Sequence, residues 1–222
     1  MGLKLGFAPV TEPADAADVE GPPDSLLGRL RAQPERAPEL IALEAGEHFG
    51  PQAERWAAAA RGKDPKKLAR TAYRRHVRLA RLEGGALGLG GVLTAAPDLL
   101  ALAWIQSRMV FFIAAAYGHD PNDPMRPAEL LELQEVYPSA AEAREALDGV
   151  GKHMAIALAE RGMSSERTLV QTLTRYLVRR FAKRTAGRLI PFVGAPVGAI
   201  QNAGATKELG RRALEYYGER QS

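Results

Sequence analysis

Cysteine is absent from the 222 residues, so the chain has no disulfide framework and no thiolate zinc site, which fits a reducing cytoplasm. Aromatic residues make up only 6%, and alternating strand patterns are nearly missing. From about residue 36 onward Ala, Leu, Arg and Glu recur at helical spacing instead. The enzyme signatures readable from sequence are also missing: there is no GxSxG, no GxxxxGK[ST] phosphate loop and no dinucleotide fingerprint. The glycine-rich stretch 84–91 lacks both the preceding strand and the basic residue such loops need. Glu44 and His48 stand one helical turn apart, but His76, His119 and His153 are scattered, so no metal motif is completed. The opening Met1–Val10 has too few apolar residues before Pro9 for a signal-peptide core, and Gly2 lacks the Ser or Thr that accompanies myristoylation.

The length suits one domain with a sizeable core. Charge is unevenly placed: residues 1–24 hold Lys4 against Glu12, Asp15, Asp18, Glu20 and Asp24, a net −4, which leaves +8 on the remainder of a chain whose total is +4. With Pro9, Pro13, Pro22 and Pro23, this composition predicts a disordered acidic arm over residues 1–35, as a solvated tail or as an acidic flap over the basic body. The fold expected for residues 36–222 is an all-α, single-domain helical bundle with two glycine-rich apolar helical hairpin segments.

Start and stop signals predict a helix from Pro38 to Phe49, a second opened by Pro51 and reaching Arg61, and a third that Asp64 and Pro65 start and Gly84 and Gly85 stop. Gly84–Tyr117 is the most apolar stretch, and Pro97 opens a long helix within it. A turn-rich loop, Gly118–Pro127, follows, then helices Ala128–Tyr137, Ser139–Arg161 and Glu166–Thr185. The uncharged run Leu189–Thr206 is the one serious transmembrane candidate. Pro191 and Pro196 break its helical hydrogen bonds, and Gln201 and Asn202 oppose insertion, which favours a buried or re-entrant hairpin. A short helix, Lys207–Tyr217, closes the chain.

Three features can carry function. On a helical wheel Lys66, Lys67, Arg70, Arg74, Arg75, Arg78 and Arg81 share about half of the third helix, opposite Leu68, Ala69, Ala72, Tyr73, His76, Leu79 and Ala80. A second basic cluster holds Arg175, Arg179, Arg180, Lys183, Arg184 and Arg188. Such faces serve as ordinary solvated surfaces or as docking sites for anionic lipid, each cation near the surface contributing about 1 kcal/mol. Nucleic acid ranks lower as a partner, because no recognised motif or interleaved stacking aromatic accompanies the charge.

Small residues supply the second feature, since Gly194, Gly198, Asn202, Thr206 and Gly210 recur every fourth position and permit close helix contact. The third is polar. Gln106 and Arg108 fall about 80° to either side of Asp98 on the wheel. His119, Asp120, Asn122 and Asp123 crowd the following loop as turn formers or as hard ligands for magnesium.

The stretch GGALGLGGVLTAAPDLLALAWIQSRMVFFIAAAYGHDP, Gly84–Pro121, resembles the central signature of the EcsC family. LIPFVGAPVGAIQNAGATKELGRRALEYY, Leu189–Tyr217, is similar to a second motif of that family, and the resemblance covers about residues 60–218. It singles out Pro97, Asp98, Gln106, Tyr117, Gly118, Asp120, Pro191, Gly194, Gly198, Asn202 and Gly210, and implies a helical bacterial protein without supplying a mechanism.

Two functional expectations follow. The first is a cytoplasmic protein, peripheral to the inner membrane face, that docks through its basic helices on anionic lipid. Its glycine-rich segments would engage lipid or an apolar small molecule, with no cofactor. The second is an enzyme acting on a lipid or prenyl-like substrate, in which Asp98, Asp120 and Asp123 hold a divalent ion such as magnesium or move protons, near His119, and Arg108 faces an anionic group.

Overall fold

The computed structural model describes residues 21–86, 96–149 and 196–220, with side chains described over 21–81, 99–149 and 204–220. All regular structure among them is helical: α1 (Asp24–Ala32), a 3₁₀ turn (Pro34–Arg36), α2 (Ala37–Ala59), α3 (Pro65–Ala86), α4 (Ala96–Ala116), α5 (Arg126–Leu133), α6 (140–149) and α7 (Pro196–Glu219). The all-α expectation holds. Residues 87–95 and 150–195 lie outside the described set. With them go the expected helix Glu166–Thr185, the second basic cluster, Pro191, Gly194 and most of both glycine-rich segments.

Helix α4 is the centre of the bundle, packing on α2, α3, α5 and α7. Its sequence, APDLLALAWIQSRMVFFIAAA, is apolar on every side, the pattern of a helix surrounded by others. By length and composition the stretch Leu99–Ala116 could cross a membrane, yet 94% of it is buried inside the bundle. Gln106, Ser107 and Arg108 sit at its middle, where an arginine costs about 2.5–3.5 kcal/mol in a bilayer on insertion scales. The helix is therefore the protein core. The tilted rings of Phe49 and Trp104 have centroids 4.6 Å apart, and Trp56 meets Phe112 at 5.2 Å, fastening α2 along it.

Three expectations are corrected. The acidic arm ends earlier than residue 35, because Asp24–Ala32 form α1, whose Leu26 and Leu30 are fully buried against the core and whose Arg29 pairs with Glu44 of α2. Residues 1–20 lie outside the described set. Pro51 does not start a new helix, for α2 runs through it over 23 residues. Proline there removes one ladder hydrogen bond, a cost of about 3 kcal/mol. Burial of Ala45, Phe49 and Ala53 on both sides of it outweighs that loss. Pro196 likewise opens α7 instead of interrupting a hairpin, and α7 continues as one helix of 24 residues to Glu219. Pro at a first helical position forfeits no intrahelical bond.

Candidate functional site

Helix α3 starts as its sequence dictates. Pro65 occupies the first turn, and the backbone N–H of Lys67 donates to Asp64 Oδ1 at 3.2 Å. Leu68, Ala69, Ala72, His76, Val77, Leu79 and Ala80 are buried, where α3 packs on α4 and α7. Lys66, Lys67, Arg70, Arg74, Arg78 and Arg81 are all exposed, and Arg75 is half-exposed at the edge of the stripe. At 100° per residue the six exposed cations fall within an arc of about 120°, and at 1.5 Å per residue they extend over roughly 22 Å.

None of these six forms an ion pair among the described residues. Asp64, two residues before Lys66, is engaged as the helix cap, and the side chain of Glu83, two residues after Arg81, lies outside the described set. The outer face of α7 is built differently, with Arg211 bridging Glu208 at 2.7 Å and Glu215 one turn away. Arg144 and Asp148 on α6 pair at 2.7 Å. On α6 and α7 the solvated faces carry ion pairs at i, i+3 and i, i+4 spacing; among the described residues of α3 the six exposed cations do not.

Beneath the basic stripe lie a buried imidazole and a buried guanidinium. His76 is buried, and its Nδ1–H donates to the Ala72 carbonyl at 2.7 Å, which fixes the neutral tautomer. Burial first, then the Arg108 and Arg75 guanidiniums, push its pKa down to about 3. Arg108 is itself buried, with its guanidinium 4.6 Å above the Phe112 ring. The sign of the resulting pH dependence is set by the depressed folded value. An unfolded chain takes up a proton near pH 6.5 and the folded one does not, so this stability is complete above pH 6.5 and is lost as pH falls toward 3. Acid unfolding of the chain is expected to steepen by about 1.4 kcal/mol per pH unit across that window. His76→Leu should flatten the profile, and equal slopes for the two proteins in denaturant titrations would remove the assignment.

The polar residues of α4 do not share a seam. Gln106, fully buried, donates through Nε2 to Thr206 Oγ1 at 3.0 Å and so faces α7, whereas Arg108 faces Phe112 and His76 of α3. Pro97 and Asp98 belong to the first turn of α4; Gly198 and Asn202 belong to α7, and the Asp98 and Asn202 side chains lie outside the described set. At the far end Tyr117 is buried, and Gly118 reverses the chain at φ +86°, a conformation open to glycine. Asp120 Oδ1 accepts from the Asn122 N–H at 2.8 Å, and Asp123 Oδ1 from the Met125 N–H at 2.8 Å. Both aspartates thus build the turn.

This geometry corrects one part of the second expectation, the single divalent-ion site. Asp98 lies in the first turn of α4 and the Asp120–Asp123 loop follows its last turn, at opposite ends of a 21-residue helix about 30 Å long, so these acids do not share one ion. Among the described residues no group of three or more His, Asp or Glu could hold a metal.

A cluster that sequence reasoning missed joins α5 to α7. Buried Arg126 and Glu129 form an ion pair one turn apart on α5, and Tyr217 donates its hydroxyl to Glu129 Oε2 at 2.9 Å. Tyr216 donates to Glu132 at 2.9 Å, Arg212 pairs with Glu135 at 2.6 Å, and His119 Nε2–H donates to the Tyr217 carbonyl at 3.1 Å. Burial raises the Glu129 carboxyl pKa against the opposing pull of Arg126. The one sequence signal was the Arg126–Glu129 spacing, because the other partners arrive from about ninety residues away. Tyr217→Phe leaves the ring in place but strips a donor from a buried carboxylate, and should cost about 1–3 kcal/mol in denaturant unfolding. No loss of stability would show the hydrogen bond to be dispensable.

No curated protein and no solved structure matches the chain. Residues 61–221 match the EcsC protein family, a span that takes in the basic helix, the core helix with its Gln106–Thr206 bond, and the helix fastened by Tyr217. The chain belongs to the EcsC protein family.

Proposed function

We propose that the protein docks on an anionic lipid surface through the exposed face of α3, as a peripheral protein of the cytoplasmic membrane face. The observation that carries this reading is the set of six exposed Lys and Arg side chains that no acid among the described residues neutralises. Each cation brought near an anionic leaflet contributes about 1 kcal/mol, so six together are ample for reversible binding. A stripe within 120° and roughly 22 Å long engages a flat surface when the helix axis lies along it.

The apolar part of the expectation narrows. Leu99–Ala116 is mostly buried in the core of the bundle, so the docking reading rests on α3. The remainder of the glycine-rich segments, 87–95 and 189–195, lies outside the described set. Vesicle flotation provides the test: recovery with anionic vesicles at low salt, reduced recovery at high salt and none with neutral vesicles are expected. Equal recovery with neutral and anionic vesicles, or none with either, would refute electrostatic docking.

A further inference from the structure

Tyr117 follows the last turn of α4 and is only 8% exposed. Its hydroxyl is unlike those of Tyr137, Tyr216 and Tyr217, each of which donates to a glutamate. No group among the described residues partners the Tyr117 hydroxyl, nor is it sealed from solvent. Buried polar groups are nearly always satisfied, so an unengaged hydroxyl on a tyrosine more than nine-tenths buried points to an acceptor from outside the fold.

The surroundings define that acceptor. Gly218 of α7 lies against the ring: a Cβ built there would stand 3.2 Å from the hydroxyl oxygen and 3.3 Å from Cζ, so a larger side chain would press on the hydroxyl that glycine leaves open. Arg70 and Asp64 are the charges that act on this hydroxyl, and Arg70 acts the more strongly. Asp64 is drawn onto the start of α3, where its Oδ1 accepts the Lys67 N–H. Arg70 is exposed and makes no ion pair among the described residues. Burial raises the Tyr117 pKa above the ordinary tyrosine value against the pull of Arg70, so the hydroxyl keeps its proton at neutral pH. A hydroxyl donor and a guanidinium fork thus share one corner, with Lys66 and Lys67 a turn before Arg70 and Arg74 a turn after it. The fork matches two oxygens of a phosphate, and the hydroxyl can donate to a further oxygen.

We propose that Arg70 and the Tyr117 hydroxyl form a subsite for the phosphate of one lipid headgroup, at the corner of the docking face where α3 begins and α4 and α7 end. The lipid as the source of that phosphate rests on the docking reading; the phosphate-binding pair does not.

The first arm of the test measures binding of the full chain to vesicles containing phosphatidylglycerol. Tyr117→Phe keeps the ring and costs no described hydrogen bond, so its melting temperature should match the wild type while its affinity falls about tenfold. Arg70→Lys keeps the charge, loses the fork and should also bind more weakly. Wild-type affinity in either variant overturns the subsite and leaves docking in place. A lowered melting temperature in Tyr117→Phe gives the hydroxyl a structural role and overturns the subsite as well. The second arm titrates glycerol 3-phosphate into the full chain without vesicles and follows the Tyr117 ring signals by NMR. Should the wild type bind no vesicles, the docking reading falls and this titration decides the pair alone: saturable shifts that Arg70→Lys weakens retain it as a site for a free phosphate ester, and their absence overturns it.

Discussion

Gly210→Leu is expected to be the most destabilising single substitution on the described part of α7. A Cβ built at Gly210 would lie 2.4 Å and 2.7 Å from the Tyr73 ring carbons Cδ2 and Cε2, and 3.0 Å from Met109 Sδ. The missing side chain is what lets α7 approach α3 and α4 together. Met109 can adjust its thioether, but the Tyr73 ring is held at its root on α3, so the helices themselves must separate. Overpacking costs about 1–3 kcal/mol in ordinary cores, a range suited to Gly210→Ala. The three further heavy atoms of leucine should exceed it. For a chain of this size each kcal/mol lowers the melting temperature by about 2–4 °C. An unchanged melting temperature for Gly210→Leu would show that the crossing is looser than described.

The largest functional effect is expected from Arg70→Glu, Arg74→Glu and Arg78→Glu combined. All three lie on the exposed arc of α3 and make no ion pair among the described residues, so reversal removes attraction without leaving a buried partner stranded. Loss of three lipid contacts at about 1 kcal/mol each is already more than a hundredfold in affinity, before repulsion is counted. The folded state should hardly change, because substitutions at such positions usually stay within about 0.5 kcal/mol. Wild-type affinity for anionic vesicles in the triple variant, with an unaltered melting temperature, would exclude α3 as the contact.

Local chemistry made α3 and α4 legible. Asp64 and Pro65 announce one start and Pro97 the other, and the two-sided wheel of α3 separates buried from exposed residues as the structure does. The family motifs were equally readable, down to the small residue at every fourth position that ends at the Gly210 crossing. What failed did so for tertiary reasons. Proline signals at Pro51 and Pro196 are local; α2 continues through Pro51 where Ala45, Phe49 and Ala53 are buried on either side, and α7 runs on from Pro196. The short α1 hid in acidic, proline-rich surroundings because its two anchors, Leu26 and Leu30, reveal their worth only against the core. Asp98, Asp120 and Asp123 looked like one site on a line of text, although a rigid helix holds them apart. The Arg126–Glu129–Tyr217 cluster had no local signature beyond one i, i+3 pair, since distant segments complete it.

The cysteine-free chain permits the most direct measurement of which face meets the lipid. A single cysteine at Thr71, exposed beside the basic arc, or at Ser25, exposed on α1, can carry a fluorophore in an otherwise thiol-free protein. Anionic vesicles bearing headgroup spin labels then report proximity by quenching. Docking through α3 calls for strong quenching at position 71, weak quenching at position 25, and loss of both in high salt. Quenching at position 25 with none at position 71 would place the contact on another face and contradict the docking of α3.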